Sequence, residues 1–144
     1  MIQTMRFCTR HFVALSLLLG LLGCEKTSDA AALTATDAIY QAWQQQRSDI
    51  QVSGRGTVIR VLADDTKGSR HQRFILKISE RQTLLIAHNI DLAPRLPNLR
   101  NGDLVVFNGE YAWNKQGGVL HWTHKDPNMR HPDGWLRYRG QQYW

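Results

Sequence analysis

After an apolar run near its N-terminus, the chain changes period twice. Around residues 34 to 47, Ile39, Tyr40, Ala42 and Trp43 fall on one side of a 3.6-residue turn while Gln41, Gln44 and Gln45 fall elsewhere. That pattern predicts a helix over about Asp37 to Arg47, with Thr34 or Thr36 as its cap. From Val52 the period drops to two, and five strands are expected, separated by turn chemistry. The first is about Val52 to Leu62, VSGRGTVIRVL, with Gly54 and Gly56 permitting a bend or bulge. The second is about Gln72 to Ile78, with Phe74, Leu76 and Ile78 on one face and His71, Arg73, Ile75 and Lys77 on the other. Thr83 to His88 is the third, and Pro94 and Pro97 beyond it allow a short turn rather than a long helix. LVVFNGEYAW, introduced by Gly102 and Asp103, is the fourth, and after NKQGG the fifth is about Val119 to Thr123.

Five strands, glycine near the start of the first and a longer connection between the third and fourth point to an all-β fold. The architecture expected is a small five-stranded OB-like Greek-key barrel with an N-terminal helix, and the competitor is another half-open barrel or sandwich of SH3-like size. In the last segment, DGWLRYRGQQYW, Trp135, Tyr138 and Trp144 are too apolar to stay fully solvated, so it is expected to cover the barrel. Trp122 shares parity with Leu120 and is expected in the core, with His121 on the opposite face.

The N-terminal run has a different meaning. Arg6 and Arg10 precede the apolar Phe12 to Leu22, and small residues lead to Cys24, the order of an export signal. The run is shorter than the ~18 residues of a spanning helix. LLGC looks like a lipobox, which implies a signal peptide over 1–23, acylation of Cys24, a tether over 24–34 and a single domain over 35–144. A multiply acylated cysteine would hold the chain to a membrane. Glu25, where an aspartate would retain such a protein at the inner membrane, implies a lipid-anchored, periplasm-facing protein of the outer membrane.

Of the two cysteines, Cys8 falls in the segment removed and Cys24 would carry lipid, so the domain must hold by its core rather than by disulfides. Losing Arg6 and Arg10 lowers the formal charge from +6 to +4. A modest positive balance permits phosphate-rich or acidic partners, nucleic acid among them, without requiring one.

Three polar clusters stand at strand ends: GSRHQRF, AHNIDLAPR and HWTHKDPNMRH. If they meet, Arg70, His71, Arg73, His88, Asn89, Asp91, Arg95, His121, His124 and Asp126 are the candidate ligand-binding residues. A divalent metal is a second reading, since His124 with Asp126, and His131 with Asp133, share parity and could converge. No HExxH or paired-cysteine pattern supports it. A serine or threonine nucleophile has still less support: Ser69 and Thr123 neighbour histidines in sequence, but no GxSxG elbow is present. Phosphodiester hydrolysis would use Arg70, Arg73 and Arg95 as clamps, a histidine as acid or base, and Asp64, Asp65, Asp91 or Glu110 as carboxylate.

GSRHQRFIL, LLIAHNIDLAPRL, GDLVVFNGEY and GGVLHWTHKDP, in that order, resemble a family of small bacterial proteins known only as a domain of unknown function. The resemblance spans about Val52 to the C-terminus. Lys125 stands where the family has a second histidine, and Ala112 where it has a glutamate, which implies that neither position is an obligatory ligand or base. No activity comes with the family. The residues point first to an envelope module binding an anionic or polar ligand, and second to a metal-assisted or His/Arg-based phosphodiesterase or nuclease. A third reading is a structural module whose cluster only knits loops together.

Overall fold

A computed structural model describes residues 26–144, with side chains from Ala35 onward. The expected export signal over 1–23, Cys24 and Glu25 lie outside the described residues. Helix α1, Lys26–Gln44, is followed by strands β1 (Ile50–Val61), β2 (His71–Ser79), β3 (Gln82–Asn89), β4 (Leu104–Ala112) and β5 (Val119–His121). A closing hairpin is formed by β6 (Trp135–Tyr138) and β7 (Gln141–Tyr143). The helix begins before Asp37, so Lys26 to Leu33, expected as a tether from their small polar composition, continue it; Ala30 to Leu33 are good helix formers. Its expected apolar face is the one used, for Ile39 and Ala42 enter the core and Trp43 packs at the edge.

The five strands close in the order β1-β2-β3-β5-β4, and β4 pairs back onto β1. Among the described strands only β3 and β5 run parallel, the signature of an OB-type Greek key. β1 serves both sheet halves: Ile50 to Thr57 pair with β4, and Thr57 to Val61 with β2. The irregularity that lets it coil lies between Val58 and Arg60, not at Gly54 or Gly56 as the sequence suggested. Those glycines serve close approach instead; a Cβ on Gly54 would sit 2.7 Å from the Phe107 ring.

Alternation on β2, β3 and β4 is strict, with Phe74, Leu76, Leu84, Ile86, Val105, Phe107 and Tyr111 inside. Burying these side chains stabilises the fold by roughly 1.5–3 kcal/mol each. The tail meets the expectation of a cover only in part. Leu136, Tyr138 and Tyr143 join the core and Trp135 is half-buried, whereas Trp144 is exposed, beneath the Lys125 ammonium 4.0 Å from its ring.

β6 sets the stage for the site. β5 pairs with β4 only at Glu110 to Ala112, and β6 pairs with the same edge of β4 at Val105 to Asn108. β5 and β6 therefore form one interrupted row beside β4, and residues 122–134 loop out between them. The ends of that loop touch: the Gly134 amide donates to the His124 carbonyl at 2.9 Å. A Cβ on Gly134 would fall 1.7 Å from the Trp122 carbonyl oxygen, so no larger residue fits the closure.

Candidate functional site

The loop opens by breaking the strand alternation. Trp122 has φ 53°, a left-handed conformation costly for a bulky side chain. It reverses the parity of the next residues. Trp122 is half-buried outside the core, contrary to expectation, while Thr123 and His124 turn inward and are buried. The Trp122 ring stacks on His131, 4.2 Å between centroids and 9° from parallel, and His124 lies tilted 5.3 Å away.

Asp126 builds the rest of the loop. Its Oδ1 accepts from the Asn128 amide, and its Oδ2 accepts from the amides of Arg130 at 2.7 Å and His131 at 2.9 Å. These amide donors, Asn128 and Arg130 foremost, hold the carboxyl below the usual carboxylate range. Asp126 organises the turn, and its contacts with these three amides leave it ill placed as a ligand-binding group. They return His131 to the barrel wall, where its Nε2 donates to Glu110 Oε2 at 2.7 Å and its Nδ1 to the Pro132 carbonyl at 2.8 Å. Both partners only accept, so the ring satisfies both by carrying two protons. Burial opposes that charge, but the hydrogen bonds to Glu110 and Pro132 prevail and raise the His131 pKa above its ordinary value.

Glu110 is shared. Its Oε1 lies 3.3 Å from His121 Nε2, because the β4–β5 register sets the two residues opposite each other. Burial lowers His121, Glu110 pulls the other way and His131 reinforces the lowering, leaving His121 below the usual imidazole range. The strand registers extend the row. Arg73 pairs with Ala87, Gln51 pairs with Glu110, and His121 follows directly on Leu120, whose partner on β3 is Ile86, so that the parallel register extended by one residue sets His121 beside Ala87. Arg73, Ala87, His121, Glu110 and Gln51 thus cross the outer face of the barrel, with the small Ala87 as the floor between Arg73 and His121. The next row toward the strand ends pairs His71 with Asn89.

His71 is oriented by an Nδ1 donation to the Ser69 carbonyl at 2.8 Å, which leaves Nε2 outward. Arg73 donates through Nε to the Ala63 carbonyl at 3.0 Å, and among the described residues its terminal nitrogens meet no hydrogen-bonding or ionic partner. The other two candidate arginines are engaged. Arg70 donates from its amide and Nε to Asp91, each at 2.7 Å, and Asn89 accepts the Asp91 amide at 2.9 Å. Arg95 pairs with Asp64. These contacts tie the β1–β2 connection to the turn after β3.

His88 is structural. It is wholly buried, donates from Nε2 to the Pro94 carbonyl at 3.0 Å and accepts at Nδ1 from the Thr123 hydroxyl at 2.8 Å. Burial drives its pKa down to about 4, aided by His124 and His71 and opposed by the Pro94 contact. His124, also buried, donates to the Lys125 carbonyl at 2.7 Å.

All three sequence clusters therefore converge, but unequally. His71, Arg73 and His121 face outward, His88, His124 and Asp126 support from behind, and Arg70, Asn89, Asp91 and Arg95 clamp the loops. Glu110 and His131 complete the group, although the sequence did not set them among its leading candidates. Counting back through the NKQGG hairpin would have set Glu110 opposite His121. No sequence signal returns His131 to Glu110. No three His, Cys, Asp or Glu side chains among the described residues are grouped to hold a metal ion.

Comparison with curated proteins gives no match to this chain. The family profile described as "Protein of unknown function (DUF3465)" matches residues 21–144, and the chain belongs to that family.

Proposed function

We propose that this chain is a lipid-anchored envelope protein whose outer β2–β3–β5 face binds an anionic ligand, with His71 and Arg73 on one side of Ala87 and His121 on the other. The observation that carries the reading is the terminal guanidinium of Arg73, which has no partner among the described residues while Arg70 and Arg95 are committed to carboxylates. A planar fork beside imidazoles suits phosphate or carboxylate oxygens. The strands-2-and-3 face is also where barrels of this architecture commonly hold oligonucleotides and oligosaccharides, which is analogy of fold alone. Titrating the protein with pyrophosphate and with a short single-stranded oligonucleotide, read by amide NMR shifts, tests it. Shifts at Arg73, Ala87 and His121 that weaken about tenfold in Arg73→Gln are expected from the loss of a charged hydrogen bond. Unchanged affinity in that variant would sink the reading.

A second reading rests on His121. Its Nε2 faces Glu110 and its lowered pKa keeps the ring neutral near pH 7, so Nδ1 is available as a general base toward a phosphodiester held by Arg73. Turnover of bis(p-nitrophenyl) phosphate abolished by His121→Ala would support hydrolysis, and absence of turnover in the unaltered protein would leave binding alone. The anchor belongs to the same proposal: Cys24 carries lipid, the segment through α1 spaces the barrel from the membrane, and the protein faces the periplasm from the outer membrane. Cys24→Ser is expected to abolish incorporation of labelled palmitate and release the protein from the membrane fraction.

A further inference from the structure

We infer that the barrel carries a second binding site at its opposite end, fitted to a single anionic sugar ring. A cleft of about 290 Å³ lies between the β2–β3 turn, the β4–β5 loop and the end of α1. Trp43, Lys77, Arg81, Gln82, Thr83 and Lys115 are among its walls. Its size is just below the roughly 300–1,000 Å³ found for ligand pockets, room for one ring rather than an oligosaccharide.

The cleft is built rigidly. The indole of Trp43 donates to the Asn114 carbonyl and that of Trp113 to the Trp43 carbonyl, each at 3.0 Å, so helix and loop are clamped by a reciprocal pair. Gly117, at φ +119°, presses the loop onto β3 so closely that a Cβ would lie 2.2 Å from the Thr83 carbonyl oxygen. Trp43 is thereby fixed as a wall, and a fixed indole suits the apolar face of a sugar.

Two features give the occupant its chemistry. The first is Gln82, which is 5% exposed and donates through Nε2 to the Gly117 carbonyl at 2.7 Å, fixing which way its amide points. Its Oε1 is buried and has no hydrogen-bond partner. Buried acceptors are rarely left in that state, and Gln82 is among the residues that line the cleft, so we infer that a small shift of its side chain lets a hydroxyl of the occupant supply the donor. The second is charge: three cations, Lys77, Arg81 and Lys115, line the cleft against one carboxylate, Glu80. Glu80 pairs with Lys77 at 2.8 Å, but the two side chains are 89% and 44% exposed and the pair is weak. Arg81 lies over the Tyr40 ring and 3.6 Å from Asp37, while Lys115 has no ionic partner among the described residues. Hydroxyl donors, one ring face and one negative charge together describe a sugar phosphate or a sugar acid.

Calorimetry and amide NMR on the full-length protein test this with glucose 6-phosphate, glucuronate, glucose and inorganic phosphate as probes. Expected are shifts at Thr83 and at Lys115 to Gly117 for the first two, and at least tenfold weaker binding of glucose and of phosphate alone. Lys115→Glu, a surface change, should weaken glucose 6-phosphate at least tenfold. Gln82→Met, its folding checked by melting temperature, should bring the response to glucose 6-phosphate down toward that of phosphate. Equal affinity for phosphate and glucose 6-phosphate would overturn the site as a sugar site. So would unchanged binding in Lys115→Glu, or no shift at the cleft with either anionic sugar.

Discussion

His88 and His131 are the same residue type put to opposite uses. His88 is held neutral by burial, with a pKa near 4 in the folded chain against about 6.5 unfolded. The unfolded chain binds the extra proton first, so the contribution of His88 to stability is complete above about pH 6.5 and is lost as pH falls toward 4. Over that window the loss amounts to about 3 kcal/mol. Urea unfolding at a series of pH values should show this slope, and His88→Gln, already uncharged, should show less of it. His131 has the opposite sign: its pKa is raised, so its contribution is present below the ordinary imidazole value and fades as pH rises through the folded value. Glu110→Gln removes the carboxylate that holds its proton, and the His131 ring signal in an NMR titration should then move to lower pH. An unchanged His131 midpoint in that variant would mean that Glu110 does not set its charge.

At the scale of elements, the strands were legible because alternation and turn residues report directly on a barrel wall buried on one side. The helix face was legible for the same reason, though its start was not, since small polar residues such as Lys26 to Asp29 serve a tether and a helix turn equally well. Parity failed where φ changed sign. Trp122 read as core because Leu120 is core, and a left-handed backbone at Trp122 itself turns Thr123 and His124 inward instead. Asp126 read as a ligand because it neighbours histidines, yet its oxygens face the loop's own amides. Asp126→Ala should therefore loosen residues 128 to 131 while β1 to β4 stay intact. Hydrogen exchange should accelerate at least tenfold at the amides of Asn128, Arg130 and His131, with little change at Phe74 or Ile86. Uniform acceleration across the barrel would show that the loop is no separate unit.

For the molecule as a whole, the polar groups of both proposed sites share the outer face of β2 and β3. Arg73, His71 and His121 lie toward the mouth, Lys77 and Thr83 toward the far end, with Ile75 and Leu85 paired between them. The sequence showed that polar residues lie at strand ends but not how they divide, because pairing across a closed sheet depends on which strands become neighbours. The parallel contact of β3 with β5 is the step that brings His121 to the β2–β3 face. Ion pairing also separates arginines that look alike along the chain, binding Arg70 and Arg95 to carboxylates and leaving the end of Arg73 without a partner among the described residues.

The loop between β5 and β6 interrupts a row of strand that would otherwise run past β4 without a break, and His88 reaches across to its Thr123 hydroxyl. A chain shortened from Trp122 directly to Gly134 would keep the neighbours of β4 in line and lose the one group that fills His88 Nδ1. Water would enter beside the ring, and the pH at which His88 takes up its proton would climb from about 4 toward the value of a free imidazole. That buried ring is thus an internal gauge of whether the loop is seated, readable in the intact protein without a ligand, a label or an assay.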